Sequence, residues 1–219
     1  MKHLRSMKSI MSFAFALSFA VMASAQDAAA LLNKLSEEAK SYGSIQATYT
    51  STMVDRVSDF KATQAGTIYV EGDKYNLDIG DYVIISDGVT IWTYDPAVND
   101  CYIDDAEAVA EEGMDPSKLF TIWEDDFKNE WKGNATINGQ NLVQINRYPL
   151  DAESKPFHTM QLFIDESALQ LKRAVVKGRE GTDVTYDVGT FKPRATVPAN
   201  KFTFDPAKYP GVNLVDNRI

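Results

Sequence analysis

Apolar residues recur at two different periods along the chain, and the change of period divides it. Over 27–40, Leu31, Leu32, Leu35 and Ala39 fall at helical spacing, with Asn33, Lys34, Glu37 and Glu38 on the opposite side. That pattern predicts an amphipathic helix that must lie on an apolar surface. Gly43 ends it. From Ile45 the period is two: Ile45, Ala47, Tyr49, Ser51 and Met53 alternate with Gln46, Thr48, Thr50 and Thr52, a half-buried strand. Short strands follow over 64–71, 74–79, 82–86, 89–94 and 101–103, punctuated by Gly72-Asp73, Gly80-Asp81, Asp87-Gly88 and Asp95-Pro96. The alternation then breaks for two short helices, 106–112 and 115–126. The second starts with Asp115 as N-cap and Pro116 in its first position, and its Leu119, Phe120, Ile122 and Trp123 are bulky and crowded. Strands resume over 131–137, 140–147, 158–165, 169–178 and 182–190, the first two joined by Asn138-Gly139.

About eleven strands and three helices make the chain mainly β. Successive antiparallel hairpins must form a sandwich, a barrel or one large curved sheet. The helices interrupt strand blocks instead of alternating with strands, so they cover a sheet face. The expected fold is an incomplete antiparallel β-barrel with a helical lid. With no repeat, low-complexity tract or linker, residues 26–219 are read as one domain.

Residues 1–25 read as an address. Lys2, Arg5 and Lys8 precede the apolar run 10–22, and Ala23-Ser24-Ala25 supplies small residues for cleavage before Gln26. The run is 13 residues, short of the roughly 20 that span a bilayer. The expected product is soluble and exported. The whole chain carries 22 bases and 31 acids, net −9. Without the three leader bases the balance is 19 against 31, net −12. This argues against nucleic acid and against standing attachment to an anionic membrane. The single Cys101 excludes a disulfide scaffold.

Chemistry is sparse. Nucleophilic catalysis usually needs a histidine base, and His158, the one His after the leader, falls within a predicted strand. Zinc needs more ligands than Cys101 and His158 supply. Asp104-Asp105 and Asp125-Asp126 lack the spacing of a calcium loop. Gly178-Arg179-Glu180-Gly181 lies between two strands, so it is a hairpin turn and not a phosphate cradle. No catalytic residue, metal ligand or cofactor is assigned, and the chain is read as a non-enzyme.

Four segments carry a family pattern. Ile84-Ile85-Ser86-Asp87-Gly88-Val89-Thr90-Ile91-Trp92-Thr93-Tyr94-Asp95-Pro96 resembles the LVSDGxxLWxYxP block of the LolA family of periplasmic lipoprotein carriers. Ile45-Gln46-Ala47-Thr48-Tyr49-Thr50 resembles its first strand, and Gln64-Ala65-Gly66-Thr67-Ile68-Tyr69-Val70 its G-x-[LI]-[WY]-V strand. Lys201-Phe202-Thr203-Phe204-Asp205-Pro206, then Gly211-Val212, resembles its closing FxFxPPxGV. The resemblance implies an eleven-stranded incomplete barrel whose inner face shelters acyl chains crossing the periplasm from inner to outer membrane. It also implies a loading ABC transporter and an outer-membrane receptor; the protein itself is expected to be a monomer. One departure stands out. The family's usual Arg-Pro after the G-x-[LI]-[WY]-V strand, whose Arg helps hold the lid, is replaced by Glu71-Gly72-Asp73-Lys74.

On this reading Tyr49, Met53, Ile68, Tyr75, Leu77 and Trp92 form the wall of the acyl site. Leu31, Leu35, Leu119, Phe120, Ile122 and Trp123 form the lid. Two alternatives stay open: a soluble receptor or carrier for another lipid, and a filled, non-enzymatic β-domain that docks proteins.

Overall fold

The computed structural model describes residues 28–112, 127–153 and 155–218. The leader 1–25 and the helix over 115–126, with Leu119, Phe120, Ile122 and Trp123, lie outside the described residues. Twelve strands join one sheet: β1 (Ser44–Asp55), β2 (Phe60–Glu71), β3 (Lys74–Asp78), β4 (Val83–Ser86), β5 (Thr90–Asp95), β6 (Asp100–Asp105), β7 (Phe127–Ile137), β8 (Gln140–Pro149), β9 (Phe157–Asp165), β10 (Gln170–Gly178), β11 (Thr182–Pro193) and β12 (Asn213–Asp216). Their spatial order is β12-β6-β5-β4-β3-β2-β1-β11-β10-β9-β8-β7. All neighbours are antiparallel except β12 on β6. Helix α1 covers residues 28–41 and α2 is Ala106–Glu112.

Turn chemistry places the hairpins. Asn138 and Gly139 both adopt positive φ, 50° and 78°, as the two-residue turn between β7 and β8 requires. Asp55 and Asp87 each accept two backbone N–H bonds in the turns they open.

Directly paired residues of an antiparallel ladder point to the same side, so the register sorts the sheet into two faces. One face carries Ile45, Ala47, Ile68, Val70, Tyr75 and Ile91 toward one end of the strand order. Toward the other end it carries Val143, Ile145, Met160, Leu162 and Ile164. α1 serves both clusters: Leu31, Leu32 and Leu35 join the second, while Ala39 and Tyr42 join the first. Ile91 and Val143 sit on strands eight positions apart, roughly 38 Å on a flat sheet at ~4.8 Å per strand. A 14-residue helix is only about 21 Å long. The sheet therefore curls around α1, and its edges β12 and β7 do not pair: an incomplete barrel.

The outer face over β7–β11 is mixed: Leu142, Phe163 and Val175 form a small buried cluster there, and polar groups take the rest. Gln144, Asn146, Tyr148 and Glu130 form a hydrogen-bonded ladder across it, beside the pairs Arg173–Asp187 and Lys177–Asp183. Over β3–β6 the outer face is instead covered by the C-terminal segment. Phe202 and Phe204 are buried there, and the Asn76 amide donates to the Lys201 carbonyl at 2.8 Å. This wrapping delivers the chain to β12, a strand that the tail's composition did not predict.

Candidate functional site

The inner face is packed unevenly. Beneath α1, Leu32, Ile145, Leu162 and Ile164 are all at most 1% exposed. On β1 and β11 the same face continues as Tyr49, Met53, Val184, Tyr186 and Val188, paired Tyr49 to Val188, Ser51 to Tyr186 and Met53 to Val184. These five side chains belong to none of the packed clusters. Four are half-buried and Met53 is 37% exposed. A strip of apolar surface is thus left partly open between two sealed clusters.

Tyr49 marks one end of the strip. Its ring lies 6.4 Å from that of Tyr186 and passes over the backbone of Gly66, where any side chain would overlap both the ring and the Asp78 carbonyl. Burial, then the neighbouring Tyr186 and Asp78, push its hydroxyl up to about 12. Burial raises Tyr186 as well. Both phenols stay neutral at physiological pH, so the strip carries no charge. A hollow of about 440 Å³ lies among α1, β7 and the β9–β10 turn, lined by Leu31, Lys34, Trp131, Glu166 and Leu169. Small-molecule pockets span ~300–1,000 Å³.

The predicted wall residues divide three ways. Tyr49 and Met53 lie on the open strip. Ile68, Tyr75 and Leu77 share its face, but Ile68 and Tyr75 are buried in the packed cluster and Leu77 is half-buried against it. Trp92 is a correction. It pairs with Ile85 and Ile103 on the outer face and packs in the cluster of Ile85, Cys101 and Phe204. The reason is register: on β5 the inner positions are Ile91 and Thr93, one step either side of Trp92. Of the predicted lid, Leu31 and Leu35 are buried between α1 and the sheet, and the other four residues are outside the described ones.

Val184 and Tyr186 were not singled out from the sequence, although Val184, Tyr186 and Val188 alternate with Asp183, Thr185 and Asp187 as clearly as β1 does. Arg147 had no sequence signal. It occupies an inner position after Val143 and Ile145, is 1% exposed, and lies 4.2 Å from the Phe127 ring centroid. Its Nε donates to Asn129 Oδ1 at 2.9 Å. Burial pulls its pKa down to about 10, so the guanidinium is charged at neutral pH. His158 makes a local contact, Nδ1 to Thr159 Oγ1 at 2.8 Å. Among the described residues no group of three His, Cys, Asp or Glu converges on a metal position, and no helix is long and apolar enough to cross a membrane.

The family model for outer membrane lipoprotein carrier protein LolA matches residues 41–205. The chain belongs to the LolA family. No curated protein matches it. Among solved structures, an uncharacterized conserved protein from Thermus thermophilus is similar at 13% identity and TM-score 0.60, over 87% of this chain and 99% of that one. A putative outer membrane lipoprotein-sorting protein domain from Vibrio parahaemolyticus is similar at 12% identity and TM-score 0.45, over 82% and 97%. A LolA superfamily protein from Nitrosomonas europaea is similar at 12% and 0.43, over 81% and 97%. The first supports the fold; the other two add no weight to it.

Proposed function

We propose that this protein is a periplasmic, non-enzymatic carrier that shelters lipoprotein acyl chains on the inner face of its sheet while they move from inner to outer membrane. The observation that carries the reading is the half-open, uncharged strip of Tyr49, Met53, Val184, Tyr186 and Val188 on a face otherwise sealed by α1. Membership of the LolA family supports it. Ile68, Tyr75 and Leu77 form the packed floor beside the strip, and Leu31 and Leu35 hold α1 over it.

The physics requires both a shelter and a loose fit. Each methylene removed from water is worth about 0.8 kcal/mol, so an acyl chain of about fourteen carbons gains on the order of 10 kcal/mol gross. Such cargo does not cross water unshielded. A tightly complementary pocket, however, would not release it. A strip that is apolar but incompletely packed lowers net affinity to an exchangeable level. In this reading an inner-membrane ABC transporter loads the carrier and an outer-membrane receptor unloads it, and the carrier acts as a monomer.

The place of the family's lid arginine favours keeping a second cargo in view. Here it is a tight turn at Gly72 with an exposed Lys74–Glu71 pair at 3.8 Å. That pair cannot copy a guanidinium fork, so release is controlled differently and another lipid is the alternative load. Depleting the protein and fractionating the envelope separates the two cargoes. Lipoproteins stranded in the inner membrane support lipoprotein carriage; normal sorting contradicts it.

A further inference from the structure

Nine large hydrophobic side chains are exposed among the described residues, and the register places seven of them toward one end of the sheet: Met53, Val57, Phe60, Tyr82, Val98, Leu150 and Leu214. Val57, Phe60 and Leu150 sit on, or directly beside, loops that hydrogen bonds tie together. In the β1–β2 tip, the Arg56 N–H and Nε both donate to the Gly181 carbonyl of the β10–β11 tip, at 3.0 and 3.1 Å, and its guanidinium pairs with Asp183 at 3.5 Å. The Arg179 N–H donates to the Pro156 carbonyl, and its guanidinium donates to the Lys155 and Ala152 carbonyls of the loop after β8. The three loops form one braced rim. It holds up Val57 at 82%, Phe60 at 54% and Leu150 at 71% exposure, just beyond Met53, the last inner-face residue of the open strip.

Holding three large apolar side chains in water on a braced frame costs stability and needs a use. The geometry points to this rim as the part of the molecule that dips into a neutral lipid surface, with Val57, Phe60 and Leu150 entering the acyl boundary. The inference rests on the carrier reading, because it places the end of the strip where an acyl chain would enter or leave. Val57 and Phe60 on one tip and Leu150 on another do not supply the ~1,000 Å² of continuous surface that a stable protein interface needs, whereas a fluid bilayer admits separate wedges. Charge argues for neutral lipid. Arg56 and Arg179 are spent on bracing the loops, and the chain's net charge is −9, so an anionic surface is not attracted.

The test is co-sedimentation of the whole protein with phosphatidylcholine vesicles, and in parallel with anionic phosphatidylglycerol vesicles, at low and high salt, beside the combined variant Val57→Ser, Phe60→Ser, Leu150→Ser and the single Leu150→Ser. Binding of a fluorescent fatty acid and the melting curve are followed in each. The parent should partition equally at both salts, and the combined variant should lose partitioning by at least about tenfold, with Leu150→Ser in between and melting unchanged. Absence of parent partitioning, equal partitioning by the combined variant, or binding confined to anionic vesicles and lost in salt overturns the rim. Fatty-acid binding reports separately on the strip. If the parent fails to bind the probe while rim-dependent partitioning persists, the carrier reading fails and the rim stands.

Discussion

The guanidinium of Arg147 lies 4.2 Å from the centre of the Phe127 ring, and that ring stacks on Phe157 at 6.2 Å with only 8° between planes. A cation is thereby held on the apolar side of the sheet beside Met160 and Ile145. A planar group can stack on an aromatic face and still donate through Nε to Asn129; an ammonium cannot do both. Arg147→Lys is therefore expected to lower stability by about 2 kcal/mol, measured as a shift in the urea midpoint. An unchanged midpoint would mean that the stack contributes nothing.

Alkaline pH should weaken the fold through Tyr49. Its folded pKa of about 12 exceeds the ordinary 10.0, so below pH 10 both states keep the proton. As pH rises from 10 to 12 the unfolded chain releases a proton that the folded chain still holds, and stability falls. Urea midpoints at increasing pH should decline over this window, and Tyr49→Phe should make the decline shallower. Tyr186 shifts in the same direction, so the slope should not vanish.

Gly66 should not tolerate alanine. A methyl there overlaps the Tyr49 ring and the Asp78 backbone carbonyl, and the carbonyl cannot swing aside as a side chain would. Overpacking of this kind costs about 1–3 kcal/mol. Gly66→Ala should lower the melting temperature, and a double variant with Tyr49→Ala should recover only part of the loss.

Trp92 and Val184 should separate stability from binding. Trp92 packs on the outer face beneath the C-terminal segment, so Trp92→Ala should cost about 2–3 kcal/mol and leave fatty-acid affinity unchanged. Val184 is half-buried on the open strip, so Val184→Asp should weaken fatty-acid binding by about tenfold or more through an unpaired charge against hydrocarbon. A tenfold loss in the Trp92 variant would return that residue to the wall.

Sequence alternation read the hairpins well because each buries one face, and Asn138-Gly139 or Asp87-Gly88 fixes where the chain turns. It did not fix which strip of the inner face stays open. Tyr75 and Tyr49 look alike in the sequence, yet only Tyr75 is closed over by packing, and that follows from how far α1 reaches across the curl. Trp92 was misplaced because a single residue's facing depends on register, and Ile91-Trp92-Thr93 fits either face by composition. β12 was missed because Asn213–Asp216 is four residues long and is held by its parallel pairing with β6 and by Asn213 and Asn217 on Asp100 and Asp104. Those are long-range contacts with no local pattern.

The central claim is that hydrocarbon occupies the strip between the two sealed clusters. Native mass spectrometry of the protein purified from its own envelope, without detergent exchange, tests it most directly. The account predicts a population carrying bound lipid or acylated protein that Val184→Asp depletes. A parent that is uniformly ligand-free, or an adduct equally abundant in Val184→Asp, would contradict it.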